Sequence, residues 1–422
     1  MGLFDFDSVP AADALRIIRR LQSDGFVAYL AGGCVRDGLL GLVPKDFDVA
    51  TDATPTTVRD LFGHRRTLAF GASFGVIGVQ GQGATPTEVA TFRSDGKYSD
   101  GRRPDHVRYG TAEEDALRRD YTINGLFYDP VADTVVDFVG GRADLAKRVV
   151  RAIGDPSLRI GEDKLRMLRA IRFAAVLGFT IDYGTAVAIR QFAAQVKVTS
   201  GERIGAEMRR MLSGQGAAVA IELLADTHLL GEIWPGLESD RESLGLAARI
   251  AGAVQPPDFV ACVAAIVGAT AADPTATIDQ LARHWRWSTD ERDGVVRAVR
   301  DRDRVIAAER LAWSVVQPVL VRRHRDKVLA AAEAWAIAVG GDLSGIEFCR
   351  QRIANWSPER FDPPHLVTGQ TLIGLGYRPG PAFKRALGSV RDAQLDGLIG
   401  SEAEGIAMAV NLLREAGATP SV

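Results

Sequence analysis

A chain of 422 residues with 46% hydrophobic content is long enough for several domains with buried cores, and its formal net charge of −2 means that any nucleic-acid surface must be a local patch. Only seven of the 51 basic residues are lysine, and guanidinium groups suit bidentate contact with phosphates and bases. The three cysteines, Cys34, Cys262 and Cys349, lie far apart with no CxxC, which argues against a zinc site or a disulfide framework and fits a reducing cytoplasm.

The first residues, MGLFDFDSVP, lack the basic and apolar regions of a signal peptide, and no later apolar run is long enough to span a membrane. Residues 11–23 have helical apolar spacing and lead into a short buried strand, Phe26 to Leu30. Gly32 and Gly33 then open a helix that carries Arg36 and Asp37, with Cys34 as a small filler at its start. A second strand, Asp46 to Ala50, follows. Side chains on a strand alternate, so Asp46 and Asp48 share a face, with Cα atoms roughly 6.6 Å apart. Like carboxylates that close repel unless protonated or bridged by cations, and Mg²⁺ binds one or two carboxylates plus phosphates. The glycine pair lets the backbone approach a triphosphate, the helix start offers N–H groups to it, and Arg36 adds a cation. Taken alone, a D-x-D pair is more often just two surface aspartates; the strand–turn–helix–strand order around this one favours a site.

Farther along, a helix runs from Pro55 to Phe62, then strands over Thr67–Phe70, Phe74–Val79 and Thr87–Phe92. Glu88 reads as a solvent-facing strand residue in preference to a third carboxylate. Residues 93–106 are Gly- and charge-rich and read as a mobile loop. A helix from Ala112 ends at Arg118, Arg119 and Asp120, which by themselves read as a solvated helix end, and strands resume at Leu126–Tyr128 and Thr134–Phe138. From Gly141 strand-type runs vanish and helical patterns continue to the end.

Residues 160–178 read as one helix stopped by Gly178. Asp163, Arg166 and Arg169 step by three along one side, and Arg172 continues the stripe. An internal ladder of ion pairs and a ligand-facing stripe explain it equally well. Beyond this helix, His284, Trp285 and Trp287 read as core aromatics in preference to RNA-stacking groups. The RRHR run at 322–325 is a phosphate contact or a solvated helix face. Near the end, residues 372–387 join Gly/Pro turns to a basic helix carrying Lys384 and Arg385.

The runs GGCVRD…KDFDVAT, RRDYTINGL and EDKLRMLRAIR resemble the class II tRNA nucleotidyltransferases, which include CCA-adding enzymes and bacterial poly(A) polymerases within the polymerase-beta-like superfamily. The resemblance covers residues 30–215 strongly and the rest faintly, apart from the basic helix near the end. It departs at Tyr121, where the family has Phe, and at Gly125, where it has Ala.

The resemblance implies an α+β fold: a mixed-sheet catalytic head over 1–140, then an all-helical remainder. That remainder divides into a neck over 141–225 for nucleotide selection, a body over 226–345 and a tail over 346–422 that binds tRNA. It implies that Asp46 and Asp48 hold Mg²⁺, and that Gly32, Gly33, Arg36 and Arg119 grip the triphosphate. Asp120 and Asn124 would support the ribose, and Asp163 with Arg166 would read the base, with Arg169 and Arg172 bracing them or meeting the triphosphate. Glu202, Arg203 and Glu207 would be structural supports, and Lys384 and Arg385 RNA contacts. The loop over 93–106 is implicated in the family's switch from CTP to ATP. The activity expected is template-independent addition of C, C and A from CTP and ATP to tRNA, with no membrane and no protein partner implied. An A-adding enzyme or poly(A) polymerase shares every motif, although the tail lacks the strongly basic extension of the latter. A small-molecule nucleotidyltransferase would lack the EDxxR helix, and a non-catalytic RNA-binding protein fits poorly with both aspartates intact.

Overall fold

The computed structural model describes residues 3–71, 75–96, 107–237 and 240–420. Two compact units divide the chain, Met1–Met211 with Val219–Pro235 and Leu212–Ala218 with Gly236–Val422.

The first unit begins with α1 (Val9–Ser23), whose buried face of Ala11, Ala14, Ile17, Ile18 and Leu21 repeats at helical spacing. Strand β1 (Ala28–Ala31) turns at Gly32, φ 72°, into α2 (Gly33–Leu39). Then come β2 (Val49–Thr51), α3 (Pro55–Phe62) capped by the Thr54 side chain, β3 (Thr67–Gly71), β4 (Val76–Val79) and β5 (Thr87–Thr91). The ribbon β6 (Arg93–Asp95) and β7 (Val107–Tyr109) precedes α4 (Ala112–Leu117), β8 (Leu126–Asp129) and β9 (Thr134–Asp137). The main sheet has the order β3-β4-β5-β2-β1-β8-β9. Only β2 and β5 run parallel, so the sheet is mixed, as expected.

Four local expectations need correction. Asp46 and Asp48 do not lie on a strand but in the extended run before it. Leu30 pairs with Val49 and the chain leaves β1 at Gly32, so little strand remains opposite Asp46 and Phe47. The region read as a loop from residue 93 starts as the ribbon β6–β7; residues 97–106 of it lie outside the described residues. Strand pairing also persists past Gly141, in a two-residue parallel pair of β10 (Val149–Val150) and β11 (Thr180–Ile181).

The fourth correction concerns the helix over 160–178, which is two helices. After α5 (Gly141–Lys147), α6 (Pro156–Glu162) stops at Asp163, whose backbone is extended at φ −147° and ψ 110°, and α7 (Leu165–Leu177) starts afresh. The Asp163 carboxylate accepts the Leu165 N–H at 3.0 Å, a local bond that competes with helix continuation and caps the new start. The unit continues through α8 (Tyr183–Phe192) and α9 (Gly201–Leu212).

The second unit is helical. Helices Arg241–Ala253, Phe259–Thr270, Thr289–Ile306 and Arg325–Val339 pack on one another. Trp285 is fully buried against Phe259 and Trp287 and is core, while Trp287 and His284 are half-buried. Arg323 and His324 of the RRHR run face Asp290. A separate apolar cluster of Val367, Leu372, Tyr377, Phe383, Val390 and Leu413 organises the last helices. Among the described residues no helix is long and apolar enough to cross a membrane.

Candidate active site

Alternation survives in the run before β2: Asp46 and Asp48 are exposed while Phe47 and Val49 are buried. Both carboxylates line one cleft of about 520 Å³, together with Lys45, Glu88 and the segment joining β4 to β5. Glu88 does face solvent from β5, and the solvent it faces is this cleft. Neither Asp46 nor Asp48 has a side-chain hydrogen bond or ion pair among the described residues. Loss of hydration among the cleft walls pushes the Asp48 carboxyl up to about 6; Glu88 and Asp46 add to the rise and the Arg119 guanidinium opposes it. Crowded, partly desolvated, unpaired carboxylates of this kind are hard oxygen donors whose charged forms a divalent cation would stabilise, so they fit one. Cys34 is no nucleophile here: it is buried, its Sγ–H meets the Ala31 carbonyl, and burial holds its thiol at about 12.

A second group of residues forms a hydrogen-bonded chain through the head and the helix after it. Arg36 Nη1 donates to Asn124 Oδ1 at 2.7 Å, Asn124 Nδ2 donates to Asp120 Oδ1 at 3.0 Å, and Arg169 Nε donates to Asp120 Oδ2 at 2.6 Å. Burial acts to raise the Asp120 pKa, but Arg169, Asn124 and the Tyr121 N–H outweigh it and hold the carboxyl near 2. Arg119 donates to the Asn124 carbonyl at 3.2 Å and lies over the Phe127 ring. Gly32 is needed there for its backbone, and it leaves room for Arg119. Its φ of 72° suits glycine, and a Cβ would sit 2.8 Å from Arg119 Nη1. At Gly33 a Cβ would lie 3.8 Å from Arg36 Nη2, an ordinary contact.

Asp120→Ala leaves Arg169 beside a buried gap and is expected to cost about 3 kcal/mol of stability, read by thermal unfolding. The ordinary carboxylate value is 3.8, above the folded value near 2, so the acid's stabilising share is complete above that range and is lost as pH falls through 2. The stability gap between wild type and Asp120→Ala should therefore narrow in acid.

The stripe Asp163–Arg166–Arg169–Arg172 resolves into four separate pairings. Asp163 is held by Arg203, with Nη2 to Oδ2 at 2.7 Å. Arg166 is buried, bonded to Glu162 and to the Arg159 carbonyl at 2.7 Å. Arg169 meets Asp120, and Arg172 Nε meets Glu207 Oε2 at 2.5 Å. The internal ladder of ion pairs is not what forms: Asp163 and Arg166 do not pair with each other, and each of the four residues takes its partner from another element. Arg203 and Glu207 on α9 are the supports expected of them. Lys384 and Arg385 lie exposed on the helix Pro381–Leu395, with no ion pair among the described residues.

Two residues escaped the sequence reading. Asp115, 1% exposed, accepts Arg118 Nη2 at 2.6 Å and Arg119 Nη2 at 2.9 Å, and so fixes the second guanidinium beside Gly32. Its spacing of three and four residues from those arginines was the available signal. Phe173 gathers three guanidiniums around its ring, Arg36 and Arg169 at 5.2 Å and Arg172 at 4.1 Å. An aromatic directly after R-x-x-R was the hint.

The family described as "Poly A polymerase head domain" matches residues 28–151, and "Probable RNA and SrmB- binding site of polymerase A" matches residues 178–241. A CCA-adding enzyme of Limosilactobacillus fermentum is 32% identical over 406 residues, spanning 95% of this chain and 96% of the relative. One from Geobacillus stearothermophilus is 41% identical over 240 residues, 57% of this chain and 58% of the relative. Among solved structures, the Bacillus stearothermophilus CCA-adding enzyme in complex with CTP superposes with a TM-score of 0.80 at 29% identity, covering 97% of this chain and 100% of that one. The Thermotoga maritima CCA-adding enzyme complexed with tRNA shares the fold, with a TM-score of 0.67 at 18% identity over 96% of this chain and 95% of that one.

Proposed function

The chain belongs to the CCA-adding enzyme family, and from that premise we propose that it adds C, C and A from CTP and ATP to the 3′ end of tRNA, releasing pyrophosphate. The observation that carries this reading is the pair of exposed, unpaired aspartates sharing a cleft beside a chain of guanidiniums. Asp46 and Asp48 are the residues that would hold divalent metal, which we take to be Mg²⁺. Such ions supply Lewis acidity to the attacking hydroxyl and the leaving pyrophosphate.

The protein's own groups do the binding and aiming. Gly32 and Gly33 give the triphosphate access to backbone N–H groups at the start of α2, and Arg36 and Arg119 neutralise it. Asp120 and Asn124 keep those arginines oriented and meet the ribose. Asp163 accepts from the exocyclic amino group that cytosine and adenine share, and Arg166 donates to the adjacent ring nitrogen. Arg169 and Arg172, anchored by Asp120 and Glu207, brace that helix. We assign catalysis to 1–140, nucleotide choice to 141–225 and tRNA binding to 346–422 through Lys384 and Arg385, with 226–345 as the connecting body. Three buried free thiols support work in the reducing cytoplasm.

The test offers three RNAs, a tRNA transcript lacking the tail, one ending in C-C and an unrelated RNA, each with CTP, ATP or both. Growth of the first by C-C-A and of the second by a single A is the expected result. A-only addition to every RNA would make it a poly(A) polymerase, and no transfer at all would remove the enzymatic reading.

A further inference from the structure

One buried acid takes no part in the chemistry described so far. Asp13 on α1 is 5% exposed and reaches across to the segment between β4 and β5. Its Oδ2 accepts the backbone N–H of Gln82 at 2.8 Å and of Gly83 at 3.0 Å, and its Oδ1 accepts from Arg16 at 3.3 Å. The fit is close: a Cβ on Gly81 would lie 2.0 Å from Asp13 Oδ2. The clamped segment then runs along the catalytic cleft, where Gly83 to Glu88 form the wall facing Asp46 and Asp48, and Pro10, one turn before Asp13, lines the same cleft. We propose that Asp13 is a positioning residue that holds this wall as a seat for the 3′-terminal nucleotide of the RNA acceptor. The inference rests on the nucleotidyl-transfer reading above.

The lining decides which substrate the wall serves. Besides the carboxylates Asp46, Asp48 and Glu88, the cleft has one basic lining residue, Lys45, and no guanidinium. The guanidiniums that suit a triphosphate, Arg36 and Arg119, do not line it. Asp48 lines the cleft, while its carbonyl accepts the Ala31 N–H at 3.0 Å, next to Gly32, against which Arg119 lies. The attacking hydroxyl must reach the same carboxylates as the nucleotide. With the anion on the arginines, the cleft wall of Gly83, Ala84, Thr85 and Pro86 is left for a ribose and its base.

Steady-state extension of an RNA ending in C-C, with RNA and ATP varied in turn, tests this. Asp13→Ala should raise the KM for RNA about tenfold, with the KM for ATP unchanged, because two charge-assisted bonds to the wall are lost. Asp13→Asn, which keeps an acceptor for the N–H groups, should recover most of that loss. Ala84→Trp, an exposed site on the wall, should also raise the KM for RNA alone, and it keeps the test open if Asp13→Ala does not fold. Equal rises in both KM values, a rise for ATP alone, or no change with Ala84→Trp would overturn the proposal. A wild-type protein that fails to extend RNA would instead point to failure of the functional reading itself.

Discussion

Asp46→Ala is expected to lower the single-turnover rate of nucleotide addition by about a thousandfold or more while leaving tRNA affinity nearly unchanged. The size follows from what the residue is asked to supply. Stabilising both the attacking and the leaving oxygens is worth several kcal/mol, and each 1.36 kcal/mol is about tenfold in rate. Asp46 is exposed and makes no side-chain bond among the described residues, so the variant should unfold at the wild-type temperature. That separates chemistry from stability. Glu88→Gln should fall between wild type and Asp46→Ala, since Glu88 faces the same cleft from β5. Rapid-quench extension of labelled RNA, with filter binding of the same RNA, reads both quantities. An Asp46→Ala rate within about tenfold of wild type would remove the residue from the chemistry.

The head was legible because its signals are local. Period-two alternation placed most of the strands, Gly32 marked the turn, and α3 begins near Pro55 as read. The acidic pair was legible as a shared face even though its strand was not, because alternation needs only extended backbone. What stayed hidden were pairings between distant segments. Spacing of three put Asp163 and Arg166 on one helix face, but spacing carries no information about Arg203, 40 residues later, which holds Asp163. Nor could periodicity show that Asp163 leaves the helix altogether, since its preceding and following residues are good helix formers. Asp13 is the extreme case. In sequence it is one polar position in an amphipathic helix, and its role exists only once a segment 69 residues away comes back to it.

Asp163→Ala is expected to reduce the preference for ATP and CTP over GTP and UTP by about a hundredfold or more, measured as ratios of kcat/KM, with a smaller fall in the rate for the correct nucleotides. A site that accepts from an amino group rejects a carbonyl at that place because two acceptors are left facing each other. A carboxylate offers about four acceptor positions. Arg203 Nη1 and Nη2 and the Leu165 N–H take three of them. The ion pair with Arg203 therefore aims the group and leaves capacity for a base. Arg203→Ala should weaken selectivity through Asp163 even though it meets no nucleotide. Arg166 is the sharper control. Its side chain is 9% exposed against 15% for Asp163, and it is bound to Glu162 and to backbone carbonyls. To donate to a base it must turn from Glu162 toward the ligand, so Glu162→Gln should ease that exchange and alter nucleotide KM. If Arg166→Ala lowers the melting temperature but leaves the four-nucleotide preference intact, the arginine only joins α7 to α6, and base choice rests on Asp163 with Arg203. If Asp163→Ala also leaves the preference intact, base selection lies elsewhere in the chain.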